Sequence, residues 1–396
     1  MPDGRRPIIR HTDIAIAGGG LAGSTAAAML GRAGLSTVLI DPHAVYPTDF
    51  RCEKIDAGQL LLLQKTGIAE PILRAATFDD QVWVARFGHI VEKRRSVQYN
   101  LLYDTLVNAV RAEIPQGVEF IRSKVESITT SSDRQRITLS NGDEISARLV
   151  VVANGLSNGL CRTLGMTRTE ISPCHSISIG FDLKPAGRPA FDFRSLTYFP
   201  ERATDGMAYV TFFPIGSTLR ANLFVYRDMK DPWLRKLREA PEDALFALMP
   251  GLKRITGEIK VTDAVRIRSV DLNVTKGHEQ PGIVLVGDAF ATSCPAAGTG
   301  MDKVFTDVER LCNVHVPRWL ATEGMGLEKI SDFYSDPVKV ACDSHSAAKA
   351  FYLRTLSTDA GLRWSAWRWT RFIGQFGRGL LRGAGMRLAT GVSTLR

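Results

Sequence analysis

The stretch DIAIAGGGLAGSTAAAMLGRAGLSTVLID (residues 13–41) decides the fold. DIAIAG is short and apolar, which predicts a buried parallel strand. Gly18, Gly20 and Gly23 follow in the spacing GxGxxG. An alanine-rich helix comes next, closed by Gly34, and a second strand, STVLID, ends in Asp41. Each glycine has its own task. The first allows the tight turn, the second lets a pyrophosphate approach the backbone, and the third lets helix and strand pack closely. Leu21 and Ala22 lie between the last two glycines, ahead of the helix STAAAMLGRAG, whose free N–H groups suit an anion. Asp41, 18 residues after Gly23, is placed to accept hydrogen bonds from a ribose. A lone GxGxxG is a weak signal; strand, helix, second strand and terminal acid together predict a dinucleotide. The pattern suits NAD or FAD, and its place at the start of a long chain leans toward FAD.

The chain has 396 residues, enough for one large core or two interleaved domains. Its six cysteines form no CxxC pair and its seven histidines no HxxxH, so neither a disulfide framework nor a metal site is expected. The opening MPDGRRPIIRHTD has no apolar signal core, and the longest apolar runs are strand-length, so a cytoplasmic location is expected. The formal charge is +9, but seven arginines and no acids follow Asp359. The preceding residues carry only 9 minus 7, or +2, so nucleic acid is not an expected partner.

A second glycine-rich segment, GIVLVGDAFATSCPAAGTGMDKVFTDVERL, spans 282–311. A strand ends in Gly287-Asp288, and a loop with Pro295 leads to a helix starting near Gly298, with Gly300 and Met301 in its first turn. GDAxxxxxPxxGxGMxxxxxD resembles the second nucleotide motif of FAD-dependent enzymes of the para-hydroxybenzoate hydroxylase fold, the class A flavoprotein monooxygenases. The resemblance implies that Asp288 binds a ribityl hydroxyl. It also implies that the helix N-terminus points its positive end at the flavin N1–C2=O edge.

The middle segment ISARLVVVANGLSNGLCRTLGM (145–166) resembles the family's DGxxSxxR. Asn154 replaces the usual aspartate, Ser157 is retained, and Arg162 is the candidate arginine. FRCEKIDAGQLLLLQKTGI (50–68) resembles the segment whose basic residues contact the flavin pyrophosphate or the electron donor, here Arg51 and Lys54. QYNLLYDTLVNAV (98–110) resembles a helix that often begins with an FAD-binding arginine; Tyr99 or Asn100 stands there instead, so that contact is not expected. The family pattern would bring the Val125 backbone to the adenine.

The expected class is α/β: a discontinuous Rossmann-like FAD-binding domain with an inserted antiparallel β-sheet substrate domain and a C-terminal helical region. The FAD-binding domain takes residues 10–80, 99–170 and 276–320. The substrate domain takes 81–98 and 171–275, and 321–396 is helical. Segments 124–130, 135–140 and 145–154 read as a meander joined by turns. Phe212 and Phe224, with Phe213 and Tyr226, either line a substrate pocket or form the core of the sheet.

The resemblance implies a monooxygenase that takes electrons from NADPH or NADH, adds O2 at the flavin C4a to form a hydroperoxide, and hydroxylates or epoxidises an aromatic or lipophilic small molecule. The cofactor carries that chemistry, so no catalytic side chain is assigned. The alternative is a flavin-dependent reductase or oxidase resembling geranylgeranyl reductases. A hydrolase reading of GLSNG (155–159) leaves the dinucleotide motifs unexplained, and the halogenase WxWxIP is only partly matched at Trp367 and Trp369. In the tail, 363–396, the apolar Trp369, Phe372, Ile373, Phe376 and Leu380 fall on one helical face, opposite Arg368, Arg371, Arg378 and Arg382. That face either docks on the protein body or makes a peripheral membrane contact.

Overall fold

The computed structural model describes residues 8–370 and 373–374. The chain forms two compact units. The first comprises Met1–Ala76, Leu101–Pro173 and Asp271–Lys349. Its sheet contains β1 (Ile9–Ala17), β2 (Thr37–Ile40), β3 (Glu119–Ile121), β4 (Val125–Thr129), β5 (Gln135–Leu139), β6 (Glu144–Val152) and β7 (Ile283–Leu285). The order is β3-β2-β1-β6-β5-β4, with β7 also paired to β6. Strands β3, β2, β1, β6 and β7 are mutually parallel, and the meander β4-β5-β6 is antiparallel. One edge of β6 is occupied by β1, from Ile9↔Glu144 to Ala17↔Val152. The other edge is shared: β5 takes residues 144–147 and β7 takes Val150–Val152.

The parallel strands are apolar on both faces because both faces are covered. Ile14, Ile16, Leu149 and Val151 pack on one face with Ala26, Ala27 and Leu30 of helix α1 (Leu21–Arg32). Ala15, Ala17, Val150 and Val152 pack on the other with Leu160 and Met166. The remaining helices used below are α2 (Ala57–Gln64), α3 (Tyr103–Arg111), α4 (Gly300–Arg310) and α5 (Pro337–Thr358).

The second unit comprises Thr77–Asn100, Cys174–Val270 and Ala350–Arg396. Its sheet runs in the order Ile259–Val261, Thr167–Pro185, Thr218–Val225, Met207–Ile215, Ser195–Tyr198, Thr77–Arg86 and His89–Leu102. Neighbours are antiparallel except Ser195–Tyr198 against Thr77–Arg86.

Besides its antiparallel strands, the segment 171–275 contains the helices Pro232–Glu239, Pro241–Leu248 and Leu252–Thr256. Asp231 caps the first by accepting from the Trp233 N–H, and prolines open the first two. Phe212 is wholly enclosed in the core of the sheet, tilted against Phe193. Phe224 is buried edge-on to Tyr209. Phe212 therefore has no surface to offer a substrate within this unit. Of the tail, 362–370 and 373–374 are helical. Phe372, Phe376, Leu380, Arg371, Arg378 and Arg382 lie outside the described residues.

Candidate functional site

In the first unit the glycines of the opening motif sort into two kinds. A Cβ on Gly18 would lie 2.6 Å from the Ala153 carbonyl oxygen, and Gly18 has φ +110°. A Cβ on Gly23 would lie 1.8 Å from the Gly18 carbonyl oxygen. These two are fixed by the protein's own packing. A Cβ on Gly20 would meet no atom of the described residues within 4 Å. Gly20 is the N-cap of α1, no side chain caps the helix, and no acid stands in its first turn. The open space thus faces the positive end of a helix whose first amides lack intrahelical acceptors, the surroundings a pyrophosphate requires. Leu21, Ala22 and Gly23 line that first turn and are buried. The cradle at Gly20 fits the dinucleotide that the sequence implies.

Asp41 closes β2 beside this turn. Its Oδ2 accepts from the Gly19 N–H at 2.7 Å and its Oδ1 from the His43 N–H at 2.8 Å. Arg111, at the end of α3, lies 3.3 Å from Oδ1 and donates to the carbonyls of Gly19, His43 and Ala44. A carboxylate has about four acceptor sites, so Asp41 keeps capacity for a ribose hydroxyl. Sequence reading missed Arg111.

At the other end of the motif series, Asp288 lies in the turn Gly287–Ala289 after β7. Burial raises its pKa, opposed by the charges of Arg51, Lys303 and Arg168. Asp307 of α4 fixes this turn by accepting from the Gly287 N–H at 2.8 Å. Pro295–Ala297 forms a single 3-10 turn that ends on Gly298 at φ +65°. Gln59 of α2 donates to the Gly298 carbonyl at 3.2 Å. A Cβ on Gly298 would meet nothing within 4 Å, so this loop too leaves space above it. The helix α4 starts at Gly300, with Met301 buried in its first turn.

Arg51 reaches the same region. Its Nε bonds Asp49 Oδ2 at 2.7 Å, and its guanidinium lies 3.9 Å from the centroid of Tyr103. The helix start discussed above is therefore Tyr103, not Tyr99 or Asn100, and its ring carries Arg51. Glu53, two residues on, is partly buried; burial pushes its pKa up to about 7, with Arg51 opposing and Asp288 and Asp49 reinforcing. Lys54 lies on the same short strand, Cys52–Ile55. Val125 begins β4, opposite Leu139.

In the middle segment, Asn154 bonds the Ser157 carbonyl, and Arg162 is exposed at the end of a short helix. Arg168, on the strand Thr167–Pro185, bridges this segment to the Asp288 turn. It donates to Leu156 O at 2.7 Å, Gly155 O at 3.2 Å and Asp288 O at 2.6 Å. His278 bonds the Thr275 carbonyl and packs on Phe290 and Tyr334, contacts that do not form a triad with Ser157.

Comparison with known proteins agrees with this geometry. The model of the FAD binding domain family matches residues 11–314. The chain is 23% identical over 329 residues to 3-demethoxyubiquinol 3-hydroxylase of Escherichia coli, covering 77% of this chain and 80% of that protein. It is 28% identical over 329 residues to menaquinone reductase of Mycolicibacterium smegmatis, covering 74% and 73%. The solved structure of p-nitrophenol 4-monooxygenase PnpA from Pseudomonas putida DLL-E4 has a TM-score of 0.73 at 16% identity, with 94% of each chain covered. With its open Gly20 cradle and fixed Asp288 turn, the chain belongs to the FAD binding domain family of class A flavoprotein monooxygenases and has the para-hydroxybenzoate hydroxylase-like fold.

Proposed function

We propose that the protein uses NAD(P)H and O2 to hydroxylate or epoxidise an aromatic or lipophilic small molecule. The observation that carries this reading is the pairing, in one unit, of the open glycine cradle at Gly20 with the fixed acidic turn at Asp288. FAD held there would supply the redox chemistry, passing electrons from the pyridine nucleotide to O2. The chain's part is to bind and orient. The amides of α1 would hold the pyrophosphate, and Asp41 with Arg111 would take the adenosine end, with the Val125 backbone toward the adenine. Arg51, held on Tyr103 and paired with Asp49, would border the same site. Asp288 would receive a ribityl hydroxyl, and the start of α4, behind the loop from Pro295 to Gly300, would supply positive dipole to the flavin.

The substrate class draws support from the relatives, which by name hydroxylate a demethoxyubiquinol and monooxygenate p-nitrophenol. The likeness to menaquinone reductase favours a second reading, saturation of a double bond without oxygen. Turnover with NAD(P)H, a panel of phenols, quinols and isoprenoids, and labelled O2 separates the two. One labelled oxygen atom in the product, matched to oxygen uptake, is expected. Anaerobic turnover with loss of a double bond would establish the reductase reading instead.

A peripheral membrane contact through residues 363–396 belongs to the same proposal. No helix among the described residues is long and apolar enough to cross a membrane. Trp367 and Ile373 are 49% and 65% exposed, and Trp369 stacks on Phe87 at 4.9 Å. Tyr352, Arg363, Trp364 and Trp367 line a cavity of about 450 Å³. Such aromatic and basic side chains suit an anionic interface. Full-length protein should float with anionic vesicles at low salt, and a chain ending at Asp359 should not.

A further inference from the structure

We propose that Arg168 is a positioning residue for the flavin: it clamps the Asp288 turn to the middle loop and supplies positive charge there that no carboxylate among the described residues pairs with. The proposal rests on the reading of Asp288 as a flavin-holding residue.

The clamp is geometric. The loops after β6 and β7 both turn on left-handed glycines, Gly155 at φ +59° and Gly287 at φ +59°. Side-by-side strands do not by themselves fix two such loops. One guanidinium fork spans them, through Leu156 O and Gly155 O on one side and Asp288 O on the other. A planar fork with five donors can serve three carbonyls at once, and a lysine ammonium on its flexible stem cannot hold the same span.

Three cations act on the Asp288 carboxylate: Arg51, Lys303 and Arg168. Arg51 is paired with Asp49 at 2.5 Å. Lys303 is paired with Asp343. Arg168 bonds only carbonyl oxygens among the described residues, so its full charge remains to act on Asp288 and would favour an anionic, reduced flavin held there. Arg162, which the sequence pattern favours, is exposed and makes none of these contacts.

The test uses the full-length chain, with Arg168→Met, Arg168→Lys and Asp288→Asn compared by FAD affinity and by the flavin midpoint potential. Arg168→Met should weaken FAD roughly tenfold or more, the scale of a lost hydrogen bond to a charged group. It should also move the potential in the negative direction. Arg168→Lys should show the affinity loss with a potential near that of the parent, because it keeps the charge and loses the span. A purely structural role would not separate the two readouts. Arg168→Met with parental affinity and potential overturns the proposal. So does Arg168→Lys with parental affinity, which applies even where the methionine variant does not fold. Unchanged FAD affinity in Asp288→Asn overturns the reading of Asp288, and this proposal with it. A loss in Asp288→Asn alone leaves that reading standing and refutes only the role of Arg168.

Discussion

Lys339→Met is the substitution to which the flavin-side unit should be most sensitive. Lys339 lies on α5 with its side chain 1% exposed. Its Nζ bonds Asp307 Oδ1 at 2.8 Å and Asp343 Oδ2 at 3.0 Å, over the ring of Phe290 at 4.3 Å. Lys303 also pairs with Asp343. Burial favours the neutral amine, but Asp307 and Asp343 outweigh it and hold the Lys339 pKa above its ordinary value. Two cations and two anions thus balance. Methionine would fill the volume yet leave one buried carboxylate uncompensated, which costs about 3–5 kcal/mol. For a unit of this size each kcal/mol lowers the melting temperature by roughly 2–4 °C, so a fall of about 6–20 °C is expected. The assay is thermal unfolding of FAD-free protein followed by far-UV circular dichroism. The double variant Lys339→Met/Asp307→Asn removes one charge of each sign. It should lose less than the sum of the single losses, by about 0.5–3 kcal/mol. A single-variant fall under about 3 °C, or strict additivity in the double variant, would refute the charge-balance argument.

Gly20→Val should leave the thermal stability of FAD-free protein nearly unchanged, because its Cβ meets no protein atom, while FAD binding is lost. Gly23→Ala should do the opposite first: a Cβ 1.8 Å from the Gly18 carbonyl forces the backbone apart, at about 1–3 kcal/mol or more. Equal melting temperatures for the two variants would contradict this sorting of the glycines. Glu53 gives a pH signature. With its pKa pushed up to about 7 by burial, the folded protein keeps a proton that the unfolded chain releases near 4.5. Stability should therefore decline as pH rises between those values, with the full deficit above 7. Glu53→Gln should be more stable than the parent at pH 8, by about 1–3 kcal/mol, and show little difference at pH 4. A difference that does not vary with pH would remove the assignment.

The dinucleotide cradle was legible because its signals are local. A strand, three glycines at fixed spacing, a helix and the acid Asp41 fall within 29 residues. The meander β4-β5-β6 was legible for the same reason, through alternation broken by turn residues. Arg111, Arg168 and Lys339 were not. Arg111 is 92 residues from Gly19, and its hydrogen-bond acceptors are carbonyls, which every residue possesses. Arg168 likewise reads three carbonyls, one of them 120 residues away. The pattern of the middle segment pointed to Arg162, but the clamp comes from the following strand. Lys339 finds Asp307 across 32 residues, a pairing that no periodicity announces. The helices from Pro232 to Thr256 had readable starts at Asp231-Pro232 and Pro241, outweighed by the aromatic strands on their N-terminal side.

The shared edge of β6 sets an order of events during synthesis. Residues 144–147 find their partner, β5, a few residues upstream. Val150–Val152 wait for β7, which leaves the ribosome about 130 residues later. Until then the sheet carries an apolar, unpaired strand end, the kind of edge that recruits other chains. Asp288 follows β7 directly, so the strand that covers the edge also delivers the acidic turn. A nascent chain stalled before Ile283 should aggregate rather than capture flavin. Completion of the sheet and competence to bind the cofactor arrive together.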